Sequence, residues 1–123
     1  MARVLIVDDE PNILLSLDYL LRKNKHEVLV ARNGTEALDI LLNADTEIVL
    51  LDIMMPDVDG YEICKRIKED QKTNHIKVIF LSAKSKKTDI EKGLSLGADM
   101  YLLKPFSNKE IVERIKQLED EIR

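Results

Sequence analysis

Ile48-Val49-Leu50-Leu51-Asp52-Ile53-Met54-Met55-Pro56 is apolar up to a single carboxylate and apolar again beyond it. Four apolar residues without alternation suit a strand buried on both faces, as in a parallel sheet covered by helices. Asp52 then stands at the mouth of that strand, where α/β sheets bind their ligands. The pattern recurs along the chain. Val4-Leu5-Ile6-Val7 ends in Asp8-Asp9-Glu10, Val78-Ile79-Phe80-Leu81 in Ser82-Ala83-Lys84, and Tyr101-Leu102-Leu103 in Lys104-Pro105. Charged or reactive residues at one end of four strands read as a site, not as a decorated surface.

Outward from this strand, short β-branched runs alternate with helical spacing five times. Strands are predicted at 3–7, 27–31, 47–52, 77–82 and 100–103. Between them Ile13, Leu14, Leu17, Leu20 and Leu21 mark a first helix, and Ala37, Leu38, Leu41 and Leu42 a second. Ile63, Cys64 and Ile67 mark a third, Ile90, Leu94 and Ala98 a fourth, and Ile111, Val112, Ile115 and Leu118 the last. Pro11 suits a first helical turn. Asp59-Gly60-Tyr61-Glu62 reads as a capping box, and Gly97 as the left-handed residue that ends the fourth helix. Alternation of this length implies right-handed crossovers and a parallel sheet with helices on both faces.

Bulk properties narrow the function. A chain of 123 residues fits one domain with one core, and 45% hydrophobic with 34% charged residues is ordinary globular composition. A net charge of −4 gives no electrostatic case for direct nucleic-acid binding. The apolar runs fall far short of a membrane span and no signal peptide precedes the first strand. The single cysteine, Cys64, precludes an internal disulfide and fits a reducing compartment, so a cytoplasmic protein is expected.

Parallel strands all point one way, so their charged ends share one edge. Periodicity does not set the strand order. With the order 2-1-3-4-5 as an added assumption, Asp8, Asp9 and Asp52 converge, flanked by Ser82 and Lys104. Three carboxylates so close require protons or a cation. Hard oxygen ligands suit Mg²⁺, with Mn²⁺ as a substitute. His26, at the start of the second strand, and His75, in a loop, are isolated, so no zinc cluster forms. Asp57 and Asp59 are explained by turn and cap roles and are left out of the metal site.

Ile6-Val7-Asp8-Asp9-Glu10, Leu51-Asp52-Ile53-Met54-Met55-Pro56-Asp57-Val58-Asp59-Gly60, Leu81-Ser82-Ala83-Lys84 and Lys104-Pro105-Phe106 together resemble the receiver domain of two-component response regulators. The resemblance spans essentially the whole chain, 1–123, in the family's order and spacing. It implies a flavodoxin-like (βα)5 fold, a five-stranded parallel sheet in the order 2-1-3-4-5. It also implies a phosphorylation-activated switch rather than an enzyme acting on a separate substrate. The phosphoryl donor would be a sensor histidine kinase or a histidine phosphotransfer protein. By the same resemblance Asp52 is the phosphoacceptor. Asp8, Asp9, Asp52 and the backbone carbonyl of Met54 would hold Mg²⁺, one of Asp8 and Asp9 directly or through water. Ser82 and Lys104 would contact the phosphoryl group, Ser82 and Tyr101 would act as the switch, and Lys104–Pro105 would be cis. Ser82, moving toward the phosphoryl group, would vacate space into which Tyr101 rotates.

Two departures are informative. Met54 and Lys84 occupy positions that tune phosphoryl lifetime in the family, and neither suits the orientation of an attacking water. Slow self-dephosphorylation is therefore expected. Glu110, Arg114 and Lys116 match part of an ion-pair pattern used for dimerisation through helix four, strand five and helix five. Their expected partners fall at Ile90, Met100 and Ser95, which are uncharged. That dimer is disfavoured, and an apolar Ile90–Met100 surface beside Tyr101 and the fifth helix is left for an output domain or downstream protein. The tail 118–123 reads either as a natural end or as the start of a linker.

Two other classes share parts of this pattern. An Mg²⁺-dependent aspartyl phosphatase of the haloacid-dehalogenase type needs an acid at position 54, where Met54 stands, and would release phosphate through many turnovers. A flavodoxin-like flavin-binding protein needs hydroxyls and amides where Asp8-Asp9-Glu10 would repel a phosphate, and would purify yellow.

Overall fold

A computed structural model describes residues 1–122; Arg123, the last residue of the charged tail, lies outside the described residues. Five strands and five helices alternate: β1 (Arg3–Val7), α1 (Pro11–Lys23), β2 (Glu27–Ala31), α2 (Gly34–Asn43), β3 (Ile48–Asp52), α3 (Gly60–Glu69), β4 (Lys77–Ser82), α4 (Lys87–Ser95), β5 (Met100–Leu103) and α5 (Asn108–Ile122). The strands form one sheet in the order β2-β1-β3-β4-β5, every neighbouring pair parallel. This is the flavodoxin-like arrangement, and its strand order reverses between β1 and β3.

Side chains of period two divide the core between the two faces of the sheet. Leu5, Val7, Val49, Leu51, Val78 and Phe80 face α2 and α3, where Ala37, Leu41, Ile63, Cys64 and Ile67 cover them. Val4, Ile6, Ile48, Leu50, Ile79 and Leu81 face the other way, onto Leu14, Leu17 and Leu21 of α1 and Ile111, Ile115 and Leu118 of α5. Burial on both faces is why the central strands carry no polar residue until their ends.

Local chemistry fixes the helix starts. Pro11 opens α1. Asn33 caps α2 by accepting from the Glu36 N–H at 2.9 Å. Asp59 caps α3 by accepting from the Glu62 N–H at 2.9 Å, but the reciprocal half of the expected box is replaced by a Glu62–Arg66 pair at 3.0 Å. Gly97 adopts φ +101° just after α4, as its position in the sequence requires. Three expectations shift. β3 starts at Ile48, one residue later than predicted. Ala98 belongs to the turn after α4, because Gly97 has already ended that helix. Leu42 is 82% exposed, since the apolar stripe of α2 is complete with Ala37 and Leu41.

Candidate phosphoacceptor site

Strand register builds the site. Val7 pairs with Leu51 across β1 and β3, so Asp8 and Asp52 leave adjacent strands side by side. The Lys104 N–H donates to the Ser82 carbonyl at 2.8 Å, which carries the β4–β5 ladder one step further and sets Lys104 beside Ser82. Asp8 and Ser82 are buried, and Asp52 is only 6% exposed. The Lys104 ammonium reaches back between them, donating to Asp8 Oδ2 at 3.0 Å and Asp52 Oδ1 at 3.4 Å, with Glu10 Oε1 at 3.6 Å. The Lys104–Pro105 bond is cis. A cavity of about 430 Å³ opens over this group, bounded by Asp9, Glu10, Asp52, Met54, Ser82 and Lys84.

Electrostatics follow from that geometry. Burial, and next the charge of Asp8, push the Asp52 carboxyl up to about 6, even though Lys104 pulls the other way. Burial depresses the Lys104 ammonium, yet the Asp8 hydrogen bond and the surrounding carboxylates carry it above its ordinary value. The pair is therefore held as an ionised lysine between competing acids. Lys104 alone does not satisfy them.

Carboxylate oxygens of Asp8, Asp9 and Glu10 lie within 4.8 Å of one another, the single such group among the described residues. The Glu10 N–H donates to Asp8 Oδ1 at 2.9 Å, folding the loop so that its acids face together. Hard oxygens beside an open cavity fit a small hard cation such as Mg²⁺. Glu10, which the sequence reading left out of the ligand set, lies within this group. His26 Nδ1 accepts from the Ala2 N–H at 3.0 Å and His75 is exposed in the turn before β4, so neither approaches the site.

The remaining expected residues take distinct places. Ser82 Oγ accepts from the Lys84 N–H at 3.0 Å. Tyr101 turns inward: its hydroxyl donates to the Lys84 carbonyl at 2.9 Å and its ring leans on Phe80, centroids 6.0 Å apart. Met54, 65% exposed, and Lys84 both line the cavity. Asp57 caps α2 rather than its own helix, accepting from the Gly34 and Thr35 N–H groups at 3.0 and 2.8 Å and from the Thr35 hydroxyl at 2.6 Å. The Thr35 hydroxyl and amide bonds hold its carboxyl far below the ordinary carboxylate range.

Gly60 is the residue whose role the sequence did not disclose. Its N–H donates to the Ile53 carbonyl at 2.8 Å, and a Cβ there would meet the Asp52 carbonyl oxygen at 2.3 Å and Ile53 Cα at 2.8 Å. The loop carrying Asp52 is pressed against the start of α3 with no room for a side chain. The Gly in the quoted motif signals a close approach, not only a cap.

On the proposed output face, Ile90 and Met100 are half-buried, Met100 against the α1–α5 side of the core. The exposed large apolar side chains there are Leu94 and Leu103. Ser95 bonds only within its helix, to the Lys92 carbonyl, and Arg114 reaches Gln117 at 3.4 Å.

Residues 4–116 match the family model of the response regulator receiver domain. The chain belongs to that family, whose members serve two-component signalling as switches and typically bind Mg²⁺. Its fold is similar to a CheY-like receiver domain protein from Methanospirillum hungatei, at 30% identity and TM-score 0.93, covering 99% of this chain and 96% of that one. A Francisella response regulator receiver domain matches at 32% identity and TM-score 0.93, each chain covered in full at 100%. A beryllofluoride-activated DrrB receiver domain matches at 33% identity and TM-score 0.89, with 98% of both chains covered.

Proposed function

We propose that this receiver domain accepts a phosphoryl group from a phosphohistidine onto Asp52 and relays that charge to the α4–β5–α5 face. The observation that carries the reading is the fork of Lys104 between the buried carboxylates of Asp8 and Asp52, at the floor of an open cavity. An ionised Asp52 oxygen attacks phosphorus, the P–N bond breaks, and the histidine imidazole leaves with the electron pair and takes up a proton. Mg²⁺, held by Asp8, Asp9, Asp52 and the Met54 carbonyl, would cancel the repulsion between the two anions. Lys104 holds positive charge on the other side. In-line positioning and charge neutralisation account for most catalysis of such transfers.

The acyl phosphate adds about −1.5 to −2 charges and three strong acceptors at the sheet edge. Ser82 Oγ, which accepts from Lys84, can donate its own proton to one of them. Lys84 also receives the Tyr101 hydroxyl, so a shift at Ser82 is felt by Tyr101 through one residue. The phosphoryl group then favours this seated Tyr101 over a displaced one. Output is read by an output domain or downstream protein over Tyr101, Ile90, Met100 and α5, with Leu94 and Leu103 as its exposed apolar contacts. The charge pattern disfavours an ion-paired dimer there. No helix among the described residues is long and apolar enough to cross a membrane. With a single, buried free cysteine, Cys64, the reading is a cytoplasmic protein.

Beryllofluoride with Mg²⁺ is expected to shift resonances around Ser82 and Tyr101 in the wild type and not in Asp52→Asn. Equal shifts in both proteins would exclude Asp52 as the acceptor. Met54 and Lys84 offer no group that orients an attacking water, so the acyl phosphate should persist. Met54→Asn should shorten its half-life about 10-fold, below what a fully positioned general base supplies. An unchanged decay rate would remove Met54 from this role.

A further inference from the structure

α4 is attached to the domain by very little: its one buried residue is Gly93, and no side chain caps its start at Lys86. It rests on three aromatic rings instead. Tyr61 of α3 packs edge-on against Phe80 of β4 at 5.6 Å between centroids, and Phe80 leans on Tyr101 at 6.0 Å. A Cβ at Gly93 would meet Phe80 Cδ2 at 3.0 Å and Tyr101 Cδ2 at 3.2 Å, so the helix lies directly on these rings.

One tyrosine holds the loop between β4 and α4, the other the first turn of α4. Tyr101 donates to the Lys84 carbonyl at 2.9 Å, and Tyr61 donates to the Asp89 carbonyl in the first turn of α4 at 3.4 Å. Cations close over the Tyr61 ring, with Lys92 Nζ 4.3 Å and Lys84 Nζ 5.9 Å from its centroid. Ammonium groups over a phenol face are attracted by its quadrupole. Lys84 thus has three ties: its N–H to Ser82 Oγ, its carbonyl to Tyr101, and its ammonium toward Tyr61. Burial and the Tyr101 phenol raise the Tyr61 hydroxyl above its ordinary pKa, so it remains a donor.

We propose that Tyr61 is a second positioning residue of the switch, holding the first turn of α4 in register with Ser82 alongside Tyr101. The proposal rests on the phosphorylation reading above. In it, α4 answers to two latches, and its seated position needs both. Tyr61→Phe removes only the hydroxyl, and Lys92→Gln only the cation over the ring.

Amide exchange along α4 and the apparent affinity for beryllofluoride with Mg²⁺ test this together. Tyr61→Phe should speed α4 exchange about 3- to 10-fold, the effect of one net hydrogen bond, and leave β1 and β3 unchanged. Beryllofluoride affinity should fall in the same direction, by up to that factor, because a less populated competent state binds more weakly. Lys92→Gln should act in the same direction. Unchanged α4 exchange in both variants overturns the proposal. So does faster exchange with unaltered beryllofluoride affinity, which would make Tyr61 a structural contact alone. A wild type that does not respond to beryllofluoride would instead refute the phosphorylation reading.

Discussion

Asp52→Asn is expected to stabilise the metal-free protein by up to about 3 kcal/mol near neutral pH. The carboxyl of Asp52 sits at about 6 in the folded chain against an ordinary 3.8, chiefly because it is buried and next because Asp8 is beside it. Below the lower value both states are protonated and the group is indifferent to folding. Between the two values the folded state keeps a proton that the unfolded chain has lost, so stability falls as pH rises. Above about 6 the full cost of a buried, repelled carboxylate is present. Asn removes that charge at nearly constant shape and leaves Lys104 its bond to Asp8. Urea unfolding without metal, near pH 4 and near neutrality, should therefore separate wild type from variant only at the higher pH. Adding Mg²⁺ should narrow the gap by stabilising the wild type. Equal stability at both pH values would contradict the geometry of the acidic floor.

Gly60→Ala is expected to cost about 3 kcal/mol or more, the upper end for inserting one carbon into packed surroundings. The atoms in its way are backbone, the Asp52 carbonyl oxygen at 2.3 Å and Ile53 Cα at 2.8 Å, so no side chain can rotate aside. The Gly60 N–H bond to Ile53 must move with them. Because that backbone carries Asp52, the damage is local to the acceptor as well as global. Chemical denaturation and the rate of phosphorylation from a small phosphodonor should both decline. A variant with wild-type stability would show that the α3 start can retreat from β3, against the close approach observed.

Sequence and structure agree where burial alone decides. Ile48-Val49-Leu50-Leu51 and Val78-Ile79-Phe80-Leu81 could only be strands covered on both sides, and they are. Strand order is different in kind. Periodicity says nothing about which strands are neighbours; the order β2-β1-β3-β4-β5 is what the family resemblance implies, and an assumption without it. The differences come from three-dimensional surroundings that spacing along the chain does not show. Asp57 looked like a local turn residue and instead caps α2 across the surface. Leu42 carried the apolar spacing of α2 but found no neighbour to bury it. Tyr61 figures in the sequence only as part of the Asp59–Glu62 capping motif, and nothing in its spacing discloses that its hydroxyl reaches α4. Glu10 joins the acidic group only because the loop after β1 folds back on Asp8.

Acyl phosphate on Asp52 is read directly by intact and peptide mass after incubation with Mg²⁺ and acetyl phosphate. A mass gain of one phosphoryl group is expected, labile to hydroxylamine and mapped to the peptide containing Asp52. The gain should vanish in Asp52→Asn and when Mg²⁺ is chelated. A stable adduct elsewhere, or equal labelling of wild type and Asp52→Asn, would contradict it.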